Sequence, residues 1–156
     1  MFKHILVPTD GTDLAKETCR AAAALAKQLG ARITAYHARE QITSTTFSAA
    51  IFDGDLVDET TRGQFEKAVD AAARTSLDCA ENLCREAGVP CKTMTTPTDS
   101  PHEGILGAAD QCGADLIFMA SHGRKGFKAR LIGSETQRVL TESKIPVLVY
   151  RWGDAA

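Results

Sequence analysis

Four basic residues, Arg124, Lys125, Lys128 and Arg130, crowd the nine positions between Gly123 and Gly133. Cations at that density, flanked by small residues, suit the holding of phosphate. The run that leads in, Asp115-Leu116-Ile117-Phe118-Met119, is apolar and reads as a buried strand. Ala120-Ser121-His122-Gly123 reads as the turn after it, and Gly133-Ser134-Glu135-Thr136 opens a helical pattern. The first N–H groups of a helix have no intrahelical acceptor and carry partial positive charge, so they attract phosphate. Strand end, basic loop and helix start together read as a nucleotide phosphate cradle. A purely structural reading competes. Ser134 and Gln137 have the spacing of a capping box, Gly123, Gly126 and Gly133 suit ordinary turns, and basic loops are usually only solvated. The segment holds neither the P-loop pattern nor the G-x-G-x-x-G of dinucleotide sites.

The chain of 156 residues is expected to fold as a single domain over 1–156 and to bury a substantial core. Its net charge of −2 argues against a nucleic-acid binder, so basic function is confined to the 124–130 loop. No apolar run reaches the roughly 20 residues of a membrane span. Met1-Phe2-Lys3-His4 leads straight into Ile5-Leu6-Val7 without a signal peptide, which predicts a cytoplasmic protein. Cys19, Cys79, Cys84, Cys91 and Cys112 are odd in number and form no C-x-x-C pair, so they read as free thiols. His4, His37, His102 and His122 are scattered, without metal-ligand spacing.

These residues need elements to position them, and the chain alternates strand and helix patterns. Strands are expected at 4–8, 32–38, 91–95, 116–120 and 146–150. Helices are expected at about 12–29, 63–87, from 100 onward, and 134–143. Gly30 stops the first helix. The second aligns Phe65, Val69, Ala72, Leu77, Ala80 and Leu83, with Gly88 and Pro90 after it. In the third, Ser100, Pro101 and Glu103 read as N-cap, first helical residue and capping box, ahead of Ile105, Leu106 and Ala109. The polar stretch 39–61 carries one apolar island, Phe47 to Phe52. It is too long for an ordinary connection and is expected to be a mobile cover over a ligand or partner.

Right-handed crossovers make the simplest arrangement a doubly wound α/β fold: a five-stranded parallel sheet in order 3-2-1-4-5, with helices on both faces. Ligands of such sheets bind outside the strand C-termini where the order reverses, here between strands one and four. Pro8-Thr9-Asp10-Gly11 ends strand one and Met119 to Gly123 ends strand four. Two loops singled out separately therefore converge on one place.

Across nearly the whole chain these residues resemble the universal stress protein family, in its small single-domain, nucleotide-binding branch. The likeness rests on Ile5-Leu6-Val7-Pro8-Thr9-Asp10-Gly11, Ser121-His122-Gly123, Gly133-Ser134 and Ile145-Pro146-Val147-Leu148-Val149. Nucleotide-binding members carry Gly-x2-Gly-x9-Gly-Ser/Thr. Here Gly123, the gap from Arg124 to Ile132, and Gly133-Ser134 match, while the first position is Ala120. Alanine is strained there if φ must be positive and tolerated if the backbone is extended; the tail of a strand favours the second. The resemblance implies the adenine nucleotide alpha hydrolase-like form of this fold. It also implies that Pro8, Thr9 and Asp10 line the adenosine and that Ala38 lies beside the adenine. Met119, Ala120, His122 and Gly123 would then border the ribose and phosphates, and Gly133, Ser134, Glu135 and Thr136 would present helix N–H groups and hydroxyls. Each has a structural alternative: Asp10 as a helix cap, His122 as a turn residue, Thr136 as a first-turn residue. Glu135 is the odd member, a carboxylate beside phosphates, acting through its backbone or through a metal.

The implied function is a regulatory module of the stress response that binds ATP, with AMP and ADP as alternatives and Mg²⁺ as a companion of the nucleotide. No catalytic residue is assigned, since no general base is recognisable. The alternatives are a slow ATPase or self-phosphorylating protein, and a nucleotide-free interaction protein of the same fold. Partners implied are an unidentified regulatory protein and a second copy, paired through strand Pro146-Val147-Leu148-Val149-Tyr150; nucleic acid and membrane are not expected.

Overall fold

The computed structural model describes residues 1–41, 59–122 and 132–151. The strands are β1 (His4–Pro8), β2 (Arg32–Glu40), β3 (Cys91–Thr98), β4 (Leu116–Ala120) and β5 (Val147–Tyr150). The helices are α1 (Asp13–Leu29), α2 (Glu59–Ala87), α3 (Pro101–Cys112) and α4 (Ser134–Glu142). All strand pairs are parallel and the order is β3-β2-β1-β4-β5, as the crossover argument requires. Ile5, Leu6 and Val7 are consecutive and all buried, because helices cover both faces of the central strand. Side chains alternate across it. Ile5 and Val7 face a cluster with Ala22, Ala26, Leu77 and Cys84 from α1 and α2, while Leu6 faces Ile105, Ala109 and Val139 from α3 and α4. Fully burying such a side chain stabilises by about 1.5–3 kcal/mol.

Helix α1 forms where expected. The Thr12 hydroxyl accepts from the Ala15 N–H at 3.2 Å, and Gly30, at φ 61°, donates back to the Ala26 and Lys27 carbonyls. Its buried residues Ala15, Thr18, Cys19, Ala22, Ala23 and Ala26 are mostly small, which lets the helix lie close to the sheet.

Helix α2 starts at Glu59, four residues before the expected 63. It buries Ala73, Ser76, Leu77, Ala80 and Cys84, while Phe65 is 45% exposed and Ala72 is exposed too. Length explains the difference. At 29 residues the helix is about 43 Å long, whereas the strand it crosses, nine residues at most, spans about 30 Å, so only its second half has a sheet to pack on.

Strands β2 and β3 both run past the expected ends, pairing through Glu40 and Thr98. Strand β5 begins at Val147 rather than Pro146. The Phe118 and Tyr150 rings stack across β4 and β5 at 6.0 Å. The five cysteines are free thiols. Burial pushes the Cys19 thiol up to about 12, and a hydrogen bond with Cys91, with burial, pushes Cys84 up as well. Among the described residues, no helix is long and apolar enough to cross a membrane. The apolar island Phe47 to Phe52 and most of the expected cover lie outside the described residues.

Candidate functional site

The sheet order reverses at β1, which pairs with β2 on one side and β4 on the other. Consecutive loops therefore leave the strand C-termini toward opposite faces and open a crevice there. On the β1 side the chain is tied down by its neighbour. The Thr9 N–H donates to the Tyr36 carbonyl at 2.8 Å, and the His37 Nδ1 lies 2.9 Å from the Thr9 carbonyl. A carbonyl only accepts, so that contact places the proton on Nδ1.

Asp10 Oδ1 accepts from both the Thr12 N–H, at 3.0 Å, and the Thr12 hydroxyl, at 2.6 Å. The N-cap of α1 is thus Thr12, and Asp10 braces it from outside the helix. Gly11 has φ +77°, and a Cβ there would fall 2.4 Å from Ser76 Oγ on α2, so both backbone conformation and space demand glycine. Ala38 stands two residues beyond Tyr36, the partner of Pro8, half-buried at the C-terminal end of β2.

Across the crevice, Ala120 is the last residue of β4 and pairs with Tyr150. No described residue other than glycine has a positive φ, so the backbone is extended there and the extra methyl brings no strain. Met119 is buried among Leu6, Ile117 and Val139; its side chain belongs to the core. His122 is half-buried, with Nδ1 2.9 Å from the Ser121 hydroxyl. The Gly133 N–H donates to the Ser121 carbonyl at 2.7 Å and pinches the chain shut on either side of the basic loop. Gly133 has φ −62°, an ordinary value, but a Cβ on it would come within 3.2 Å of the His122 Cα. Close backbone approach, not a left-handed conformation, favours glycine here. Gly123 and the cations Arg124, Lys125, Lys128 and Arg130 lie outside the described residues.

Two expected capping boxes are absent. Helix α4 is N-capped by Gly133, which has no side chain to cap it; Ser134 is already helical, and Gln137 uses its backbone N–H on the Gly133 carbonyl at 2.9 Å. The purely structural reading of Ser134 and Gln137 therefore loses its basis. At α3, Ser100 is the N-cap and Pro101 the first helical residue, but the Ser100 hydroxyl makes no cap bond and its N–H goes to the Thr98 hydroxyl at 3.0 Å. The cap comes from 33 positions away. Glu135 Oε2 accepts from the His102 N–H at 2.8 Å and lies 3.1 Å from His102 Nδ1. A carboxylate outcompetes a neutral hydroxyl for a helix N-terminus because it meets partial positive charge. This answers the oddity of Glu135, whose side chain is committed to α3. Thr136 is buried and donates its hydroxyl to the Ala120 carbonyl at 3.1 Å, tying α4 to the strand.

Sequence reasoning passed over His37, Tyr36, His102 and Gly104. Burial pushes the Tyr36 phenol up, partly offset by the Thr96 hydroxyl 2.6 Å away. A Cβ on Gly104 would sit 2.4 Å from the Tyr36 hydroxyl, so α3 approaches β2 closely only because of that glycine. A separate cleft of about 230 Å³ opens between the end of β2 and α2, where Arg39 is paired with Asp70 beside Glu40 and Glu66. Its carboxylates make it a poor host for phosphate.

The description "Universal stress protein family" covers residues 1–151 of this chain. The chain belongs to the universal stress protein family. It is 31% identical to universal stress protein YxiE of Bacillus subtilis over 152 residues, covering 97% of this chain and 100% of that one. It is 34% identical to the universal stress protein in the QAH/OAS sulfhydrylase 3′ region of Thermus aquaticus, covering 97% and 100%. Among solved universal stress proteins and their relatives, MJ0577 of Methanocaldococcus jannaschii superposes with a TM-score of 0.75 at 25% identity, covering 99% of each chain. The same fold extends to three nucleotide complexes. One universal stress protein is in complex with cAMP (TM-score 0.69, 21% identity, 96% and 97% covered). One from Archaeoglobus fulgidus is in complex with dAMP (0.62, 18%, 96% and 97%). One from Arabidopsis thaliana has AMP bound (0.67, 13%, 97% and 92%).

Proposed function

We propose that this universal stress protein binds an adenine nucleotide, ATP foremost, in the crevice between β1 and β4. It would act in the cytoplasm as a homodimeric regulatory module whose loaded or empty state a protein partner reads. The observation that carries the reading is the uncapped start of α4 at the topological switch point. Gly133 caps α4 without a side chain, so the cap residue itself does not occupy the first-turn N–H groups, and the Gly133 N–H on the Ser121 carbonyl brings the chain on either side of the basic loop together beside them. Relatives of the same fold hold cAMP, dAMP and AMP, which favours the adenine class. In this reading Pro8, Thr9, Asp10 and Ala38 border the adenosine. His122, Gly123, Gly133 and Ser134 border the phosphates, while Ala120 and Met119 form the floor. Thr136 and Glu135 contribute backbone N–H groups, since the hydroxyl of one and the carboxylate of the other are already engaged. Asp10 is the carboxylate placed to meet a nucleotide-borne Mg²⁺, and turnover, if present, is slow.

Two measurements test this. Mass spectrometry of small molecules released on denaturing freshly purified protein should find an adenine nucleotide. Calorimetric titration of emptied protein with ATP should show saturable heat, and Gly133→Val should weaken it roughly ten- to a hundredfold, the worth of a charge-assisted hydrogen bond. Because a Cβ at Gly133 also meets the His122 backbone, circular dichroism must first show that the variant folds. Folded wild type that takes up no heat at millimolar ATP would overturn the reading.

A further inference from the structure

Among the described residues, three hydrogen bonds hold helix α4 at its first turn. Two go to β4 and the residue after it: the Gly133 N–H to the Ser121 carbonyl at 2.7 Å, and the Thr136 hydroxyl to the Ala120 carbonyl at 3.1 Å. Both lie at the C-terminal end of β4, and farther along the buried Val139 packs α4 against Leu6, Ile105 and Ala109. The third contact is sideways, the Glu135 carboxylate on the start of α3. We infer that Glu135 is the positioning residue of the phosphate cradle: its carboxylate docks the first turn of α4 on the N-terminus of α3 and so fixes the direction of the α4 N–H groups.

Both carboxylate oxygens are aimed at donors. Oε2 takes the His102 N–H at 2.8 Å and faces the His102 ring at 3.1 Å, while Oε1 lies 3.6 Å from the Arg138 guanidinium one turn on. The His102 ring is itself held, with the Ser100 hydroxyl 3.1 Å from Nδ1 and Glu142 Oε1 3.8 Å from Nε2. The His102 ring is 9% exposed, while the Glu135 side chain that meets it is 37% exposed, so the junction is buried on the α3 side and open to water on the other. Two helix N-termini thus meet at one carboxylate. It belongs to the first turn of α4, but its hydrogen bond is spent on the N–H of α3, so the N–H groups of α4 are not used by it.

The ligand consequence rests on the nucleotide reading above, and it has a sign that simple electrostatics does not share. If Glu135 were only a negative charge near phosphates, Glu135→Ala would tighten ATP. As the clamp, its loss should weaken ATP roughly tenfold and leave adenosine, which has no phosphate, within about twofold. Asp110→Asn, altering an exposed carboxylate in the last turn of α3, should leave both affinities unchanged. Amide hydrogen exchange gives a readout that needs no nucleotide: the Gly133 and Gln137 amides should exchange faster in Glu135→Ala while those of α1 do not. ATP affinity that is unchanged or tighter in the folded variant, or adenosine lost in equal measure, overturns the inference. If wild type binds no ATP, the nucleotide reading alone fails, and unchanged exchange at Gly133 and Gln137 is then the result that overturns the clamp.

Discussion

Asp115 fastens the sheet at the end opposite the crevice. Its Oδ2 accepts from the Lys3 N–H at 2.8 Å and its Oδ1 from the His4 N–H at 3.0 Å, while its own N–H donates to the His4 carbonyl at 2.9 Å. Burial alone would push the carboxyl up, but the His4 and Lys3 N–H groups outweigh it and hold it below the usual carboxylate range. The folded value lies below the unfolded one of about 4, so the clamp stabilises fully above that pH and is lost as pH falls through the folded value. Asp115→Asn should therefore cost about 1 kcal/mol at pH 7, solvent screening keeping the figure small, and its thermal melts should converge with wild type as pH falls through the folded value. A gap that persists undiminished into acid would assign the loss to packing rather than to charge. His4 adds a step at higher pH. Burial and then the Arg32 guanidinium hold its ring below the ordinary histidine value, so its contribution is complete above about pH 6.5 and fades as pH falls. The acid titration is best begun below that region.

At the scale of elements, β5 carries the clearest exposed liability. It is an edge strand of four residues, Leu148 is 36% exposed, and its outer backbone groups have no neighbour among the described strands. If the proposed dimer pairs there, Val149→Lys should yield monomer by light scattering, since its ammonium must reach water across the joint. A dimer that survives would move the interface elsewhere. The order of these elements was legible in the sequence because β1, β4 and β5 are short apolar runs and the first two helices have marked glycine stops, Gly30 for α1 and Gly88 for α2. The start of α2 was not, because Glu59 to Thr61 sit in a polar stretch without an apolar face to mark a helix. Nor were the caps of α3 and α4. Ser100 and Glu103 satisfy the local rule, but the carboxylate that wins comes from Glu135, and a contact across 33 positions leaves no periodic trace. For the candidate site, the loop at Ala120 to His122 drew attention through its small residues beside a basic run and the loop at Pro8 to Gly11 through the sheet order, whereas His37 and Tyr36 were hidden within an ordinary strand pattern.

For the molecule as a whole, ligand and stability are linked, because a nucleotide that binds only the folded chain shifts its unfolding. At an ATP concentration a hundred times the Kd the gain is about 2.7 kcal/mol, which for a chain of this size raises Tm by about 5–10 °C. Scanning calorimetry with ATP, and with GTP as a comparison, checks this; equal shifts with both would remove the preference for adenine. The two edges of the sheet are chemically unlike. On β3, Lys92, Thr93 and Thr95 are exposed, and Pro97 has no N–H to offer a further strand; β5 is short and apolar. If the proposed dimer joins through β5, such a sheet has a valence of one: the pair presents only β3 edges outward, so association would end at two chains and a growing fibre would have no free end on which to add.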